Sequence, residues 1–410
     1  MTAPLRLYVL GTAISEPGTL GGDTRILLEL VRRWAALGEV DATIVTSATR
    51  KETCVGYRLP ESVTYEICPE TPGVWSLAGH LRAAIRLARL AEQLDPGPDR
   101  PATVVYSASD FLTDVLPAAR LKRRFPNITW LASRFLFVPS PFKGWRRSYE
   151  HGIGVPDPFL AVAAAYQRFA FSVIRRRADL FFITNETDRV HFTRRGVEPA
   201  RVLPVYGGVD FDEIASTAPQ PLRYDGCFVG RISPQKGVLD LVDIWARVRA
   251  RKPDARLALI GSGNVRFERE LRDAVAARGL GDAIDLLGFL DGPEKHRVYK
   301  SSRVFLHTSV HDNYGMAACE AMAAGVPAVL YDLPPLRIAY PQGCLRAPRT
   351  DRQGFADAVL RLLDEGATWE RLSQEATAWA RTQDWNLKAT QVLDFLTTSI
   401  AVRTAARRTP

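Results

Sequence analysis

The stretch Asp312-Asn313-Tyr314-Gly315-Met316-Ala317-Ala318-Cys319-Glu320-Ala321-Met322-Ala323-Ala324-Gly325-Val326-Pro327 decides the fold when read with Gly230-Arg231-Ile232-Ser233-Pro234-Gln235-Lys236-Gly237 earlier in the chain. The earlier segment puts two cations, Arg231 and Lys236, on a turn after the apolar run Gly226–Val229. The later segment places Gly315 and the unpaired N–H groups of a helix start between two carboxylates. A diphosphate needs fixed cations and helix N-terminal amides, and ribose and sugar hydroxyls need acceptors, which carboxylates supply. Together the segments fit a nucleoside diphosphate joined to a sugar. The spacing predicts a helix beginning near Tyr314, with Asp312 and Glu320 separated by roughly 12 Å along a mainly helical path. As a solvated surface residue Glu320 would need nothing. Its small and apolar neighbours instead predict a packed helix, in which a carboxylate requires a partner.

Working outward, short β-branched runs alternate with longer helical patterns. The first half offers strands at Leu5–Leu10, 42–45, 104–106, 128–132, 180–184 and 202–205; the second offers them at 226–229, 256–260, 284–287, 304–307 and 328–331. Helical periodicity fills the gaps, for example at 23–37, 77–94, 159–177 and 238–251. Such alternation predicts parallel sheets between layers of helices. Two series in 410 residues predict an α/β chain of two doubly wound, Rossmann-like domains. The expected domains are residues 1–206 and 207–384, with 385–410 a terminal helix opened by Trp385-Asn386-Leu387. Residues 216–223, with two prolines, read as a loop or linker.

Composition narrows the classes. Hydrophobic content of 46% and charged content of 24% are ordinary for a globular protein. No apolar run is long enough to span a bilayer, and the first ten residues lack a signal-peptide pattern. Five scattered cysteines without a Cys-x-x-Cys spacing argue against a disulfide framework or zinc site and for a reducing, cytoplasmic setting. The net charge is +9, with basic clusters at Arg120, Lys122, Arg123 and Arg124; at Lys143, Arg146 and Arg147; and at Arg175, Arg176 and Arg177. Solvated helix faces explain any one cluster. Collectively they can attract an anionic membrane or a phosphorylated acceptor, which leaves open a peripheral contact with the inner face of the membrane. Without aromatic platforms or a recognition motif, nucleic acid is not an expected partner.

The paired motifs resemble the large retaining glycosyltransferase family 4, of GT-B fold with two domains facing across a cleft. Arg231 and Lys236 match the cations that bind the donor diphosphate in that family. Residues 320–327 match its Glu-Ala-Met-Ala-x-Gly-x-Pro segment, so the resemblance gives Glu320 the ribose. Asp312 stands where the family has its first Glu, keeping the charge but shortening the reach by one methylene. The resemblance implies transfer with retention from an NDP-sugar, UDP or GDP, to an acceptor on the first domain, without a separate cofactor. In the family the terminal helix returns to the first domain.

Further candidates lie on strand-to-helix loops. Gly21-Gly22 follow the first strand, and paired glycines let backbone approach a ligand; the resemblance implies a loop that covers the donor phosphate and sugar. Gly261-Ser262-Gly263-Asn264 lacks the third glycine of a dinucleotide fingerprint. By resemblance that loop and Gly288-Phe289-Leu290 lie beside the nucleotide, as do Gly230, Asn313, Tyr314, Gly315 and Met316. His307 reads as a structural residue, and His311 as close enough to the donor site to touch a hydroxyl or phosphate. Neither has metal-ligand spacing, so no essential metal is expected, and Arg231 and Lys236 neutralise the leaving diphosphate. The family's first-domain His is missing here, its place falling to Ser133 or Arg134. Two rivals follow: a GT-B-like binding protein that no longer transfers sugar, and a nicotinamide oxidoreductase, which would need the absent glycine fingerprint.

Overall fold

The computed structural model describes residues 4–17, 20–70, 77–97, 102–142 and 158–408; Lys143, Arg146 and Arg147 lie outside the described residues. The chain forms two compact units. The first gathers the described residues up to Pro141, those of 158–207 and those from Asn386 on, and the second holds Gly208–Trp385.

In the first unit the strands are β1 (Leu5–Leu10), β2 (Val40–Ser47), β3 (Thr64–Cys68), β4 (Thr103–Ser107), β5 (Thr129–Arg134), β6 (Leu180–Ile183) and β7 (Val202–Pro204). They line up as β3-β2-β1-β4-β5-β6-β7 with every pair parallel. Runs such as Leu180-Phe181-Phe182-Ile183 are buried at every position, as expected of strands covered on both faces. Tyr8, Val105, Trp130 and Phe181 lie in its core, and the Trp130 indole N–H donates to Ser107 Oγ at 3.0 Å.

The second unit repeats the plan with β8 (Tyr224–Val229), β9 (Leu257–Ile260), β10 (Ile284–Gly288), β11 (Ser302–His307), β12 (Ala328–Tyr331) and β13 (Cys344–Ala347). Their order is β10-β9-β8-β11-β12-β13, again parallel throughout. Trp245, Leu241, Tyr331 and Phe355 belong to its core. Each unit is thus a doubly wound α/β layer, as the alternation of strand and helix patterns predicts. The strand order reverses between β1 and β4, and between β8 and β11, which in open parallel sheets marks where ligands bind, outside the carboxyl ends of the strands.

Two strands were not legible from periodicity. β3 is an edge strand whose residues are mostly half-buried or exposed, and β13 is a four-residue edge strand carrying Arg346. Each pairs on one side only, so neither needs the continuous apolar run that marks a central strand. The helix expected from near Tyr314 begins later: it spans Met316–Ala323, with Gly315 as its N-cap at φ 73°. Asp312 explains the delay. Its Oδ1 accepts from the backbone N–H groups of Asn313 at 2.9 Å and Tyr314 at 3.4 Å, which offers the chain a turn in place of helix.

Candidate functional site

The site in the second unit is built on β8 and β11, the two strands at the reversal point. After β8 the chain turns through Gly230 and Arg231 into a short 3-10 turn, Pro234–Lys236, and enters the helix Val238–Arg251. After β11 it runs through residues 308–315 into the helix Met316–Ala323. The two loops are stitched together: Thr308 Oγ1 donates to the Lys236 carbonyl at 3.0 Å, Val310 N–H to the Gln235 carbonyl at 3.0 Å, and Gln235 Nε2 to the His311 carbonyl at 3.0 Å.

This stitching places Lys236 on Asp312. Lys236 Nζ donates to Asp312 Oδ2 at 2.5 Å, and His307 Nε2 lies 3.2 Å from the same oxygen. Burial alone would push the Asp312 carboxyl up; the charge of Lys236 and the nearby imidazole outweigh it and hold the carboxyl well below its usual range. Both side chains are largely enclosed, 19% exposed for Lys236 and 12% for Asp312. His311 is also buried, which pushes its imidazole down to about 4 against the pull of Asp312, with Lys236 and Arg349 adding to the fall; it is neutral at physiological pH. Arg231, on the same loop as Lys236, is exposed.

Glu320 occupies the packed helix and is 2% exposed. Its partners come from the helix Gly292–Lys300: Lys295 Nζ donates to Oε1 at 3.2 Å and Tyr299 OH to Oε2 at 3.0 Å. Burying a carboxylate costs free energy unless it is paired and hydrogen-bonded, and Lys295 and Tyr299 supply those bonds. Gly315 is fixed by its surroundings as well as by its φ, because a Cβ there would sit 2.7 Å from the His307 ring. Its carbonyl accepts from Tyr340 OH at 2.9 Å. Asn313 and Tyr314 are buried, while Met316 opens the helix half-exposed.

The neighbouring loop lies alongside. Gly230 N–H donates to the Ile260 carbonyl at 3.0 Å and Ile232 N–H to the Ser262 carbonyl at 2.9 Å, with Ile232 and Gly263 forming a parallel bridge. A side chain at Gly261 would strike the Gly230 carbonyl, so the close approach of these two loops requires glycine. Phe289, after β10, presents a ring 49% exposed, and Gly261 N–H donates to the Gly288 carbonyl at 2.7 Å.

Gly21 and Gly22 belong to the first unit, where Gly21 caps the helix Gly22–Ala36 and its N–H donates to Ser15 Oγ at 2.9 Å. Of the residues considered for the absent His, Ser133 is buried against the Tyr106 hydroxyl at 2.6 Å. Arg134 lies at the end of β5, its guanidinium over Phe137 and Phe171.

The structure therefore brings Gly230, Lys236, Gly261, Gly263, Asp312 and Gly315 into one set of interlocked loops. It adds residues the motifs did not single out. His307, read from sequence as structural, touches Asp312. Lys295 and Tyr299 hold Glu320 from a helix with no motif. Their i,i+4 spacing puts them on one helix face, but ordinary amphipathic helices show the same spacing. Among the described residues no group of three or more His, Cys, Asp or Glu is arranged to hold a metal ion.

Two doubly wound units, with a cation-bearing turn and a glycine-capped helix at the reversal point of the second, define the GT-B class of sugar-transferring proteins. The family models agree: the one described as glycosyl transferases group 1 matches residues 223–365, and the glycosyl transferase 4-like domain matches residues 21–208. The chain belongs to the group 1 glycosyltransferases, of the family 4 type. Among relatives, it is 28% identical over 232 residues to a GDP-mannose:cellobiosyl-diphosphopolyprenol alpha-mannosyltransferase of Xanthomonas campestris, covering 55% of this chain and 61% of that protein. It is 31% identical over 200 residues to a phosphatidyl-myo-inositol mannosyltransferase of Mycobacterium leprae, covering 47% and 52%. The chain thus spans only about half to three-fifths of the length of these relatives. In fold it is similar to Anabaena HepE, crystallised with UDP and glucose, at a TM-score of 0.70 and 16% identity, with 96% of this chain and 99% of that one covered.

Proposed function

We propose that this protein transfers a sugar, with retention, from a nucleoside-diphosphate sugar to a phosphate-bearing acceptor. The observation that carries the reading is the enclosed Lys236–Asp312 pair beside His307, between the Arg231 turn and the Gly315-capped helix. Lys236 and Arg231 would neutralise charge developing on the leaving diphosphate, the largest electrostatic task of the reaction. With these two cations in that role the transfer needs no essential metal. Asp312, already bound to Lys236 and to two backbone N–H groups, acts by holding Lys236 and meeting a donor-sugar hydroxyl, not as a covalent nucleophile. Retention then leaves the departing phosphate to accept the acceptor proton on the same face. Glu320, braced by Lys295 and Tyr299, meets the ribose.

The relatives' donors and acceptors support the assignment of substrates. One is named for GDP-mannose and a diphosphopolyprenol, another for phosphatidyl-myo-inositol, and the Anabaena protein was crystallised with UDP. These names support UDP or GDP as the nucleotide and a phosphate-bearing acceptor for the proposed transfer. A peripheral contact with anionic lipid fits the first unit, whose helices Leu77–Leu90 and Pro158–Arg177 expose Leu81, Ile85, Val162 and Phe169 beside arginines.

The test is donor turnover. The protein should hydrolyse or transfer from a UDP- or GDP-sugar, EDTA should leave the rate unchanged, and Lys236→Ala should lower it by roughly a hundredfold or more, the usual effect of losing a preorganised group facing developing charge. The anomer of the product, read by NMR, decides retention. A folded Lys236→Ala protein with undiminished turnover removes the diphosphate site, and no turnover with any donor favours a binding protein of the same fold.

A further inference from the structure

The first unit holds a second concentration of positive charge. The end of β5, the helix Pro158–Arg177 and the short helix Arg189–Thr193 with the turn after it border an open cavity of about 520 Å³, lined by Arg134, Arg168, Arg175 and Arg195 with Phe137 and Phe171 as apolar walls. No carboxylate lines it. Arg134 is 7% exposed. Its guanidinium lies 4.1 Å from the centre of the Phe137 ring and 4.4 Å from that of Phe171, and Arg195 covers Phe171 from 5.5 Å.

A surface run of arginines would be explained by solvation alone, and Arg168 and Arg195 are indeed exposed. Arg134 is different. It is buried, its Nε makes no hydrogen bond among the described residues, and it forms a long ion pair with Asp110 at 3.7 Å, with Asp188 also acting on its charge. Burial raises the carboxyls of both Asp110 and Asp188, that of Asp188 to about 7, against the opposing pull of the Arg134 charge. Burial also pulls the Arg134 guanidinium down to about 10. The three outer arginines have no carboxylate within ion-pair distance among the described residues; Arg175 donates to the Arg195 carbonyl at 3.2 Å, and Arg195 to the His191 carbonyl at 2.9 Å. Four like charges around one cavity repel one another. The Arg134 guanidinium packs against two aromatic rings, and a guanidinium fork suits two oxygens of one phosphoryl group.

We propose that this arginine-lined cavity of the first unit binds a phosphoryl group, as a phosphomonoester or diphosphate, separately from the donor diphosphate loops of the second unit. On the glycosyltransferase reading, on which only this part rests, that phosphoryl group belongs to the acceptor.

The experiment titrates glycerol phosphate into the full chain by calorimetry, in wild type and in the Arg231→Ala/Lys236→Ala background that removes the donor site. Vesicles of phosphatidylcholine with and without phosphatidic acid are tested in parallel by co-sedimentation. The variant is Arg168→Gln/Arg195→Gln, whose exposed side chains leave the fold intact. Glycerol phosphate should bind both backgrounds, with an affinity lowered tenfold or more by the glutamine pair, while affinity for UDP or GDP changes less than twofold. Arginine-dependent binding to phosphatidic acid vesicles alone assigns the phosphoryl group to a lipid headgroup, and binding to soluble glycerol phosphate assigns it to a free ligand. The proposal is overturned if neither probe responds to the glutamine pair, or if glycerol phosphate binding disappears with Arg231 and Lys236. Either of those results leaves the donor reading standing, since nucleotide binding and turnover are measured apart.

Discussion

Asp312 carries opposing demands in a single carboxylate. It is enclosed, which disfavours charge, yet it remains ionised because Lys236 and His307 face it. A carboxyl whose folded pKa is depressed adds stability above its unfolded value of about 3.9, and that stability is lost as pH falls toward the folded value. Asp312→Asn should therefore cost about 1.5–3 kcal/mol at neutral pH, the scale of a hydrogen bond to a charged group. The gap to wild type should narrow below about pH 4, where the native protein loses the same contribution. Urea unfolding at pH 7 and pH 3 measures this, and an unchanged gap would show that the pair with Lys236 does not stabilise the fold. Much of this residue's setting was legible in sequence, since Arg231, Lys236, Asp312 and Glu320 stand in compact motifs. The partners were not. Lys295 and Tyr299 reach Glu320 from about 20–25 positions away, and nothing local marks a lysine as the brace of a buried carboxylate. Arg134 looked like a stand-in for a histidine, because the cavity that gives it meaning is assembled from separate segments.

At the scale of elements, the loops depend on glycines whose conformations side chains resist. Gly315 and Gly279 make a matched pair: both have left-handed backbone, at φ 73° and 64°, but a Cβ on Gly279 meets nothing while one on Gly315 meets the His307 ring. Gly279→Ala should cost only the backbone term, about 1–2 kcal/mol. Gly315→Ala should cost more and also lower turnover, because the displaced ring lies against Asp312. Thermal melts of the two variants alongside their turnover test this, and equal losses would reduce Gly315 to a helix cap. Central strands were readable because their burial on both faces demands continuous apolar runs. The edge strands β3 and β13 were not, since half-exposed strands tolerate charges. The start of the Met316–Ala323 helix was displaced from its sequence position by a side chain competing for backbone N–H groups, an effect that periodicity does not register.

For the whole molecule, the segment beginning at Asn386 belongs to the first unit although it follows the second in sequence. Trp34 Nε1 donates to the Ala389 carbonyl at 2.8 Å, Arg33 Nε to Asn386 Oδ1 at 3.0 Å, and Arg403 bonds to Asp179. Ala389, Val392, Leu393, Leu396 and Ile400 are buried. The four larger side chains contribute about 1.5–3 kcal/mol each, together comparable with the entire stability of a domain. A chain ending at Trp385 should accordingly keep the cooperative transition of the second unit and lose that of the first. Hydrogen exchange resolved by segment checks this: β8–β13 should stay protected while β1–β7 exchange freely, and protection of both sheets would mean that the helix is dispensable. The same closure orders events during synthesis. Domains usually fold in turn as they leave the ribosome, but the first unit here cannot finish its core until residues 386–408 have emerged, roughly 10–40 s after residue 207 at typical elongation rates. The nascent chain must carry an unsealed sheet through that interval, so for this protein the unit that begins folding first is the one completed last.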